Sequence, residues 1–189
     1  MSHRNHFSTS DNLAKVYFMK VAITTRPAGI DDIELIGRLI RDLAIYQNSG
    51  DDCVCTHDAI EEALFSSPPA AEVIIGELDG TPVGFALFYE IYSTFLGRKG
   101  LYLEDLFVLP EARGQGLGKA LLRKLASVAI ERNYARMDWF VLDWNKPSIE
   151  FYKTLGAAPL DMGTIFRLKE NELVALSGTQ NVLNESKIA

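Results

Sequence analysis

The hydrophobic positions change period several times along the chain, and each change marks an element. After Pro27, Ile33, Ile36, Ile40, Leu43 and Ala44 recur at helical spacing, predicting a first helix that starts near Asp31. Thr56 is placed to cap a second helix carrying Ile60, Ala63 and Leu64, which Pro68-Pro69 stops. Strand-like runs cover 21–26, 72–77, 82–92 and 101–108, with Asp79-Gly80 as a hairpin turn and Gly97-Arg98-Lys99-Gly100 as another. Three strands therefore meander antiparallel. A third helix sets Leu117, Leu121, Leu125 and Val128 on one face, with Lys119, Arg123 and Arg132 largely elsewhere.

Residues 137–142 carry the β-favouring Trp139, Phe140 and Val141, and Asn145 caps a fourth helix with Pro147 in its first turn and Gly156 past its end. Ile165 to Leu168 reads as a final strand. The predicted order is β-α-α-β-β-β-α-β-α-β. Passage from the 101–108 strand through a helix to 137–142 is a parallel crossover, so the expected class is α/β with a mixed sheet and helices on both faces.

Composition narrows the function classes. With 189 residues, 48% of them hydrophobic, the chain suits one domain, expected over 21–177 between a polar N-terminal extension, 1–20, and a polar tail, 178–189. A net charge of -6 disfavours nonspecific contact with nucleic acid or an anionic membrane, and permits a cationic partner. No apolar run approaches the roughly 18 residues that span a bilayer, so a soluble, cytoplasmic protein is expected. Cys53 and Cys55 are too close for an unstrained bridge, and with His57 they lack a fourth ligand, so no metal site is expected.

The run Arg113-Gly114-Gln115-Gly116-Leu117-Gly118 joins a strand to a helix. Alternate glycines let main-chain N–H groups converge, and the helix adds its positive dipole end, which suits phosphate oxygens. Lys119 stands where a Rossmann fingerprint needs glycine or alanine, and the Gly-Lys-Ser/Thr of a P-loop is missing. A phosphate-bearing cofactor is implied; a plain tight turn is the alternative.

The order of these pieces, with Leu-Tyr-Leu-Glu-Asp at 101–105, Val-Leu-Asp-Trp-Asn at 141–145 and Pro-Ser-Ile-Glu-Phe-Tyr-Lys at 147–153, resembles the GNAT N-acetyltransferase superfamily. Within it, the motifs are similar to the spermidine/spermine (diamine) and thialysine acetyltransferase branch, over about 21–177. The resemblance implies a GNAT acyl-CoA N-acyltransferase fold with a splayed central sheet, acetyl-CoA as cofactor, a small-molecule amine as substrate and a homodimer.

It also implies roles for particular residues. The amides of Gln115, Gly116, Leu117, Gly118 and Lys119, with Gly114 in the turn, would hold the pyrophosphate, and Arg113 would add charge. Backbone groups of Leu106, Phe107 and Val108 would pair with the pantetheine arm, one amide near Phe107 or Val108 polarising the thioester carbonyl. Asn145 and Ser148 would meet the cofactor, and Tyr152 would touch it as general acid. An alkyl amine of pKa near 10.4 is neutral in only about one molecule in a thousand or fewer at pH 7, so a base is needed. Glu104 is implied, acting through water, while Asp105 on a regular strand would point to the opposite face. Tyr46, Gln47 and Glu104 are the implied acceptor-binding residues; Asp105 and Asp138 are further candidates by charge, Asp138 like Asp51 and Asp52 being open to the alternative of a solvated surface charge. Gln47 stands where the polyamine enzymes place a glutamate, which puts long polyamines in question; a diamine, polyamine or thialysine-like amino acid remains open. Protein lysine or N-terminal acetylation and a noncatalytic CoA-binding regulatory module are the alternatives.

Overall fold

A computed structural model describes residues 21–160 and 163–178, so the 1–20 extension and all of the 178–189 tail except Gly178 lie outside the described residues. The described chain falls into two compact units divided between Phe140 and Val141.

The first unit is a five-stranded sheet with helices on both faces. Its strands are β1 (Ile23–Pro27), β2 (Glu72–Leu78), β3 (Thr81–Ser93), β4 (Arg98–Val108) and β5 (Met137–Trp139), adjacent in that order. The first three pairings are antiparallel and β4–β5 is parallel. Asp79 and Gly80 both take positive φ, 48° and 77°, as the tight turn between two right-twisted strands demands. The Asp79 carboxylate accepts the Ala22 N–H at 2.8 Å, which ties the start of β1 to that turn.

Adjacent residues of β2 show how the two faces are used. Ile75 joins Ile36, Leu39 and Leu43 of α1 (Ile33–Tyr46), and Ile60 and Leu64 of α2 (His57–Phe65), in one core cluster with Phe85 and Phe107. Gly76, its neighbour, faces the other way, where a Cβ would stand 2.9 Å from Leu117 and 3.2 Å from Leu121 of α3 (Leu117–Glu131). The apolar stripe of α3 is thus buried on the face opposite α1 and α2. Thr56 caps α2 as expected, its Oγ1 accepting the Ala59 N–H at 3.2 Å. At the start of α1, Asp32 binds Arg26 through both carboxylate oxygens at 2.7 and 2.8 Å, and Arg26 Nε also reaches Glu77 at 2.8 Å. That fork holds the entry of α1 against β1 and β2.

The second unit holds α4 (Lys146–Thr154) and α5 (Glu170–Ser177). Asn145 Oδ1 accepts the Ser148 N–H at 3.4 Å, and Pro147 sits in the first turn, as the sequence predicts. Two expectations change. Strand 137–142 shortens to Met137–Trp139, because only these residues find partners on β4. The strand expected at 165–168 is not formed: among the described residues no ladder reaches it, and a β-favouring run without a partner has no hydrogen bonds to make. The chain instead enters α5, with Glu170 and Glu172 in its first turn and Gly178 closing it at φ 68°.

At Gly84 the β3–β4 contact leaves no room for a side chain, since a Cβ would meet the Phe107 carbonyl oxygen at 2.8 Å and the Val108 Cα at 3.3 Å. Gly84→Ala is expected to destabilise the protein by about 1–3 kcal/mol through overpacking against backbone that cannot give. Urea unfolding checks this, and a midpoint equal to that of the wild type would show that the two strands part freely.

Candidate active site

The site is built around an irregularity in β4. Leu87 pairs with Asp105 and Phe88 pairs with Leu103, so Glu104 has no partner on β3 and forms a β-bulge. One inserted residue shifts the parity of everything after it. Before the bulge, odd-numbered peptide groups face β5, as the Leu101 N–H shows by donating to the Arg136 carbonyl at 3.0 Å. After it, the Leu109 N–H donates to the Val83 carbonyl on the β3 side at 2.9 Å, and the Phe107 oxygen presses on Gly84. By the alternation of a ladder, the peptide groups of Leu106 and Val108 therefore point away from β3, and those of Phe107 point into it. Of the three residues expected to offer backbone groups on this edge, Phe107 is turned inward.

That outer edge is open. β5 accompanies β4 only from Leu101 to Leu103, so within this unit β4 has no strand partner on that side from Glu104 onward. The Val108 carbonyl accepts Arg113 Nε at 2.9 Å. The guanidinium of Arg113 also stacks 4.5 Å from the Tyr46 ring centroid and 5.5 Å from that of Phe107. Arg113 thus joins the end of α1 to the end of β4, and its charge is not simply directed at solvent. Gln47 ends α1, its N–H bonded to the Leu43 carbonyl at 2.9 Å.

The glycine run opens α3 as expected. Gly114 and Gly116 take φ of 77° and 96°, and Gly116 is the N-cap with no side-chain oxygen bonded to the helix. The first hydrogen bond back to this cap comes from Ala120, at 3.1 Å. The amides of Leu117, Gly118 and Lys119 therefore belong to the orphan donors of a helix start, and Gln115 and Lys119 are exposed beside them. Chemically this is a site for anion oxygens, and its donor set fits a phosphate-bearing group.

The bulge also brings both carboxylates to one face, against the expectation that Asp105 would point away from Glu104. Tyr89 Oη donates to Glu104 Oε2 at 3.1 Å, and the Tyr89 and Tyr102 rings pack with centroids 5.3 Å apart. Tyr102 lies opposite Asp138 in the register, and Asp138 is bound to Arg136 Nε at 2.7 Å. Asp105 pairs with Leu87, which packs on the α1/α2 cluster, so it shares the face of Tyr89 and Glu104. Burial, reinforced by the Glu104 charge, pushes the Asp105 carboxyl up to about 6. Burial and then Glu104 push the Tyr89 phenol up to about 12, so it remains a proton donor to Glu104. Tyr102 is raised by burial and by the charges of Glu104 and Asp138. Tyr89 and Tyr102 were not among the residues singled out from sequence. The signal available is the alternation Leu87-Tyr89 facing Tyr102-Glu104, which needs the register to be read.

In the second unit Asn145 and Ser148 are brought together by the cap bond, and Tyr152 lies two turns along α4 with its ring 5.5 Å from that of Phe151. Among the described residues no group of three or more His, Cys, Asp or Glu side chains is arranged to hold a metal ion.

An open strand edge beside a glycine-started helix, with two carboxylates on the adjoining face, is the candidate site of this unit. The chain belongs to the acetyltransferase (GNAT) family, whose model matches residues 40–157, and its chemistry is N-acetyl transfer. It is 37% identical over 147 residues to the thialysine N-epsilon-acetyltransferase of Sus scrofa, covering 74% of this chain and 86% of that one. It is 26% identical over 190 residues to an L-ornithine N5-acetyltransferase of Arabidopsis thaliana, covering 77% and 83%. An integron cassette protein from V. cholerae superposes with a TM-score of 0.69 at 26% identity, over 83% of this chain and 98% of the other.

The raised Asp105 carboxyl makes stability depend on pH in a defined direction. With a folded value of about 6 against 3.8 for the free side chain, the folded state binds this proton more tightly, so ionisation opposes folding. The penalty is absent below about pH 4, grows as pH rises through about 6, and is complete above it, at about 2–3 kcal/mol. Asp105→Asn should unfold at higher denaturant than the wild type at pH 7 and match it at pH 4. Parallel curves at both pH values would remove the buried charge from the account.

Proposed function

We propose that the protein is an acetyl-CoA-dependent N-acetyltransferase that passes the acetyl group directly to a primary amine of a small cationic metabolite: a diamine, a polyamine or a thialysine-like amino acid. The observation that carries this reading is the Glu104–Asp105 pair on one face of the bulged β4, an anionic seat for an ammonium next to an open strand edge. The relatives named for thialysine and ornithine acetylation support the same acceptor class.

Acetyl-CoA would supply the activated acyl group. The amides of Gln115 to Lys119, with Gly114 in the turn, hold its pyrophosphate, and Leu106 and Val108 offer main-chain groups to its extended arm. Arg113 contributes by bracing the Val108 carbonyl and lending positive charge to the same edge. Glu104 accepts the amine proton through water, with Tyr89 fixing its carboxylate and Asp105 adding negative charge beside it. Tyr46, Gln47 and Asp138 complete the acceptor surface. Tyr152 holds the phenolic proton that neutralises the departing thiolate, and Asn145 and Ser148 present the start of its helix; these three roles rest on their motif. We take 21–177 as the catalytic domain, place the enzyme in the cytoplasm on its composition, and take it as a homodimer on the family resemblance. Among the described residues no helix is long and apolar enough to cross a membrane.

Release of free thiol from acetyl-CoA in the presence of diamines, polyamines, thialysine, lysine and peptides tests the reading. Turnover on peptides alone would favour protein acetylation, and CoA binding without turnover on any amine would favour a binding module. Glu104→Gln is expected to depress activity most near neutral pH and to recover in part at alkaline pH, where more amine is already neutral. A profile unchanged from the wild type would exclude Glu104 as the base. Tyr152→Phe should lower kcat strongly, by about 100-fold or more, with acetyl-CoA affinity nearly intact in calorimetry.

A further inference from the structure

The α1/α2 face of the sheet holds more than the carboxylate pair. Between α1, α2 and β3 lies a pocket of about 390 Å3, walled by Ile40, Ala63, Leu64 and Leu87 and bounded at one side by Tyr89 and Cys55. Its lining is almost entirely carbon, and its volume falls in the range that holds small ligands. Tyr89, in the wall, donates to Glu104 at 3.1 Å, which sets the pocket next to the carboxylates. The thiol of Cys55, also in the wall, is raised first by burial and then by Cys53, with Arg41 opposing and the Asp105 charge adding to the rise.

We propose that this pocket receives the arm of the acceptor while its ammonium sits at Glu104 and Asp105, so that the preferred acceptor is a primary amine on an uncharged alkyl, thioalkyl or arylalkyl arm. This rests on the amine-acetylating reading above and, within that class of primary amines, sets acceptors that carry a second charge, the diamines and polyamines among them, below those on an uncharged arm. The charge pattern is complementary: two carboxylates lie outside the apolar space, and no carboxylate lines it. The Tyr89 hydroxyl is already committed to Glu104, and the Cys55 thiol is a weak acceptor. A second ammonium carried into the pocket would lose its water without gaining a charged partner, and such burial is strongly unfavourable. Gln47, at the end of α1, supplies no charge to receive it either. An apolar arm gains about fourfold in binding for each methylene removed from water.

The experiment measures kcat/KM by thiol release for propylamine through hexylamine, against the diamines of equal carbon number. The expected result is a rise of about two- to fourfold per methylene in the monoamines, with each diamine at least about tenfold below its monoamine. Ala63→Phe and the milder Ala59→Leu, both on the pocket wall, should abolish the gain with chain length while leaving CoA binding unchanged. A flat response to chain length, or diamines that outrun monoamines, overturns the proposal. Loss of turnover with every amine would instead defeat the amine-acetylation reading. Calorimetry then decides the pocket by itself: hexylammonium binding that weakens in both wall variants supports it, and binding that is absent or unaffected by them ends it.

Discussion

A single extra residue in β4 governs this site. Because Glu104 is bulged out of the ladder with β3, side chains and peptide groups after it exchange sides. The side-chain exchange places Glu104 and Asp105 together on the face of α1 and α2. The peptide exchange turns Leu106 and Val108 toward the open edge and Phe107 toward β3. Without the bulge one carboxylate would be buried beneath α3, and the groups offered to an extended ligand would be different ones. The parallel pairing with β5, which stops at Leu103, completes the arrangement by leaving that edge uncovered where parity has changed.

The elements around the bulge hold it in place. Tyr89 and Tyr102 stack across the strand pair on the acidic face, and Tyr89 ties down Glu104. Phe88, Leu101 and Leu103 are buried at 1% exposure or less, so the segment before the bulge cannot slip without exposing them. Beyond it, Phe107 belongs to the α1/α2 core, and Arg113 spans from Val108 to Tyr46. The end of β4 is therefore anchored by core packing on one side and by a stacked guanidinium on the other. Gly84 permits the close approach of the two strands at that point.

Electrostatics on the acidic face are uneven by design of the fold. Asp138 is paired with Arg136, while Asp105 is held partly out of water beside Glu104, with no cation among the described residues bound to it in the same way. The free negative field therefore concentrates at 104 and 105, next to an apolar pocket. In the proposed function a cation is attracted there, and in the proposed pocket what its arm carries decides whether it fits.

The apolar periodicity of α1, α2 and α3, the Asp79-Gly80 turn, the Thr56 and Asn145 caps and the glycine start of α3 were all legible in the sequence, because each depends on residues within a few positions of one another. The 165–168 strand was misread for the opposite reason: β-propensity needs a partner, and no local pattern supplies one. Glu104 and the glycine run stood out as candidate chemistry through motifs alone. That Asp105 joins Glu104, that Phe107 turns its peptide inward, and that Tyr89 and Tyr102 enter the site were decided only by tertiary structure. Side-chain facing in a strand follows from register, and register is set by a bulge opposite Leu87 and Phe88, across a pairing that the linear order does not encode locally.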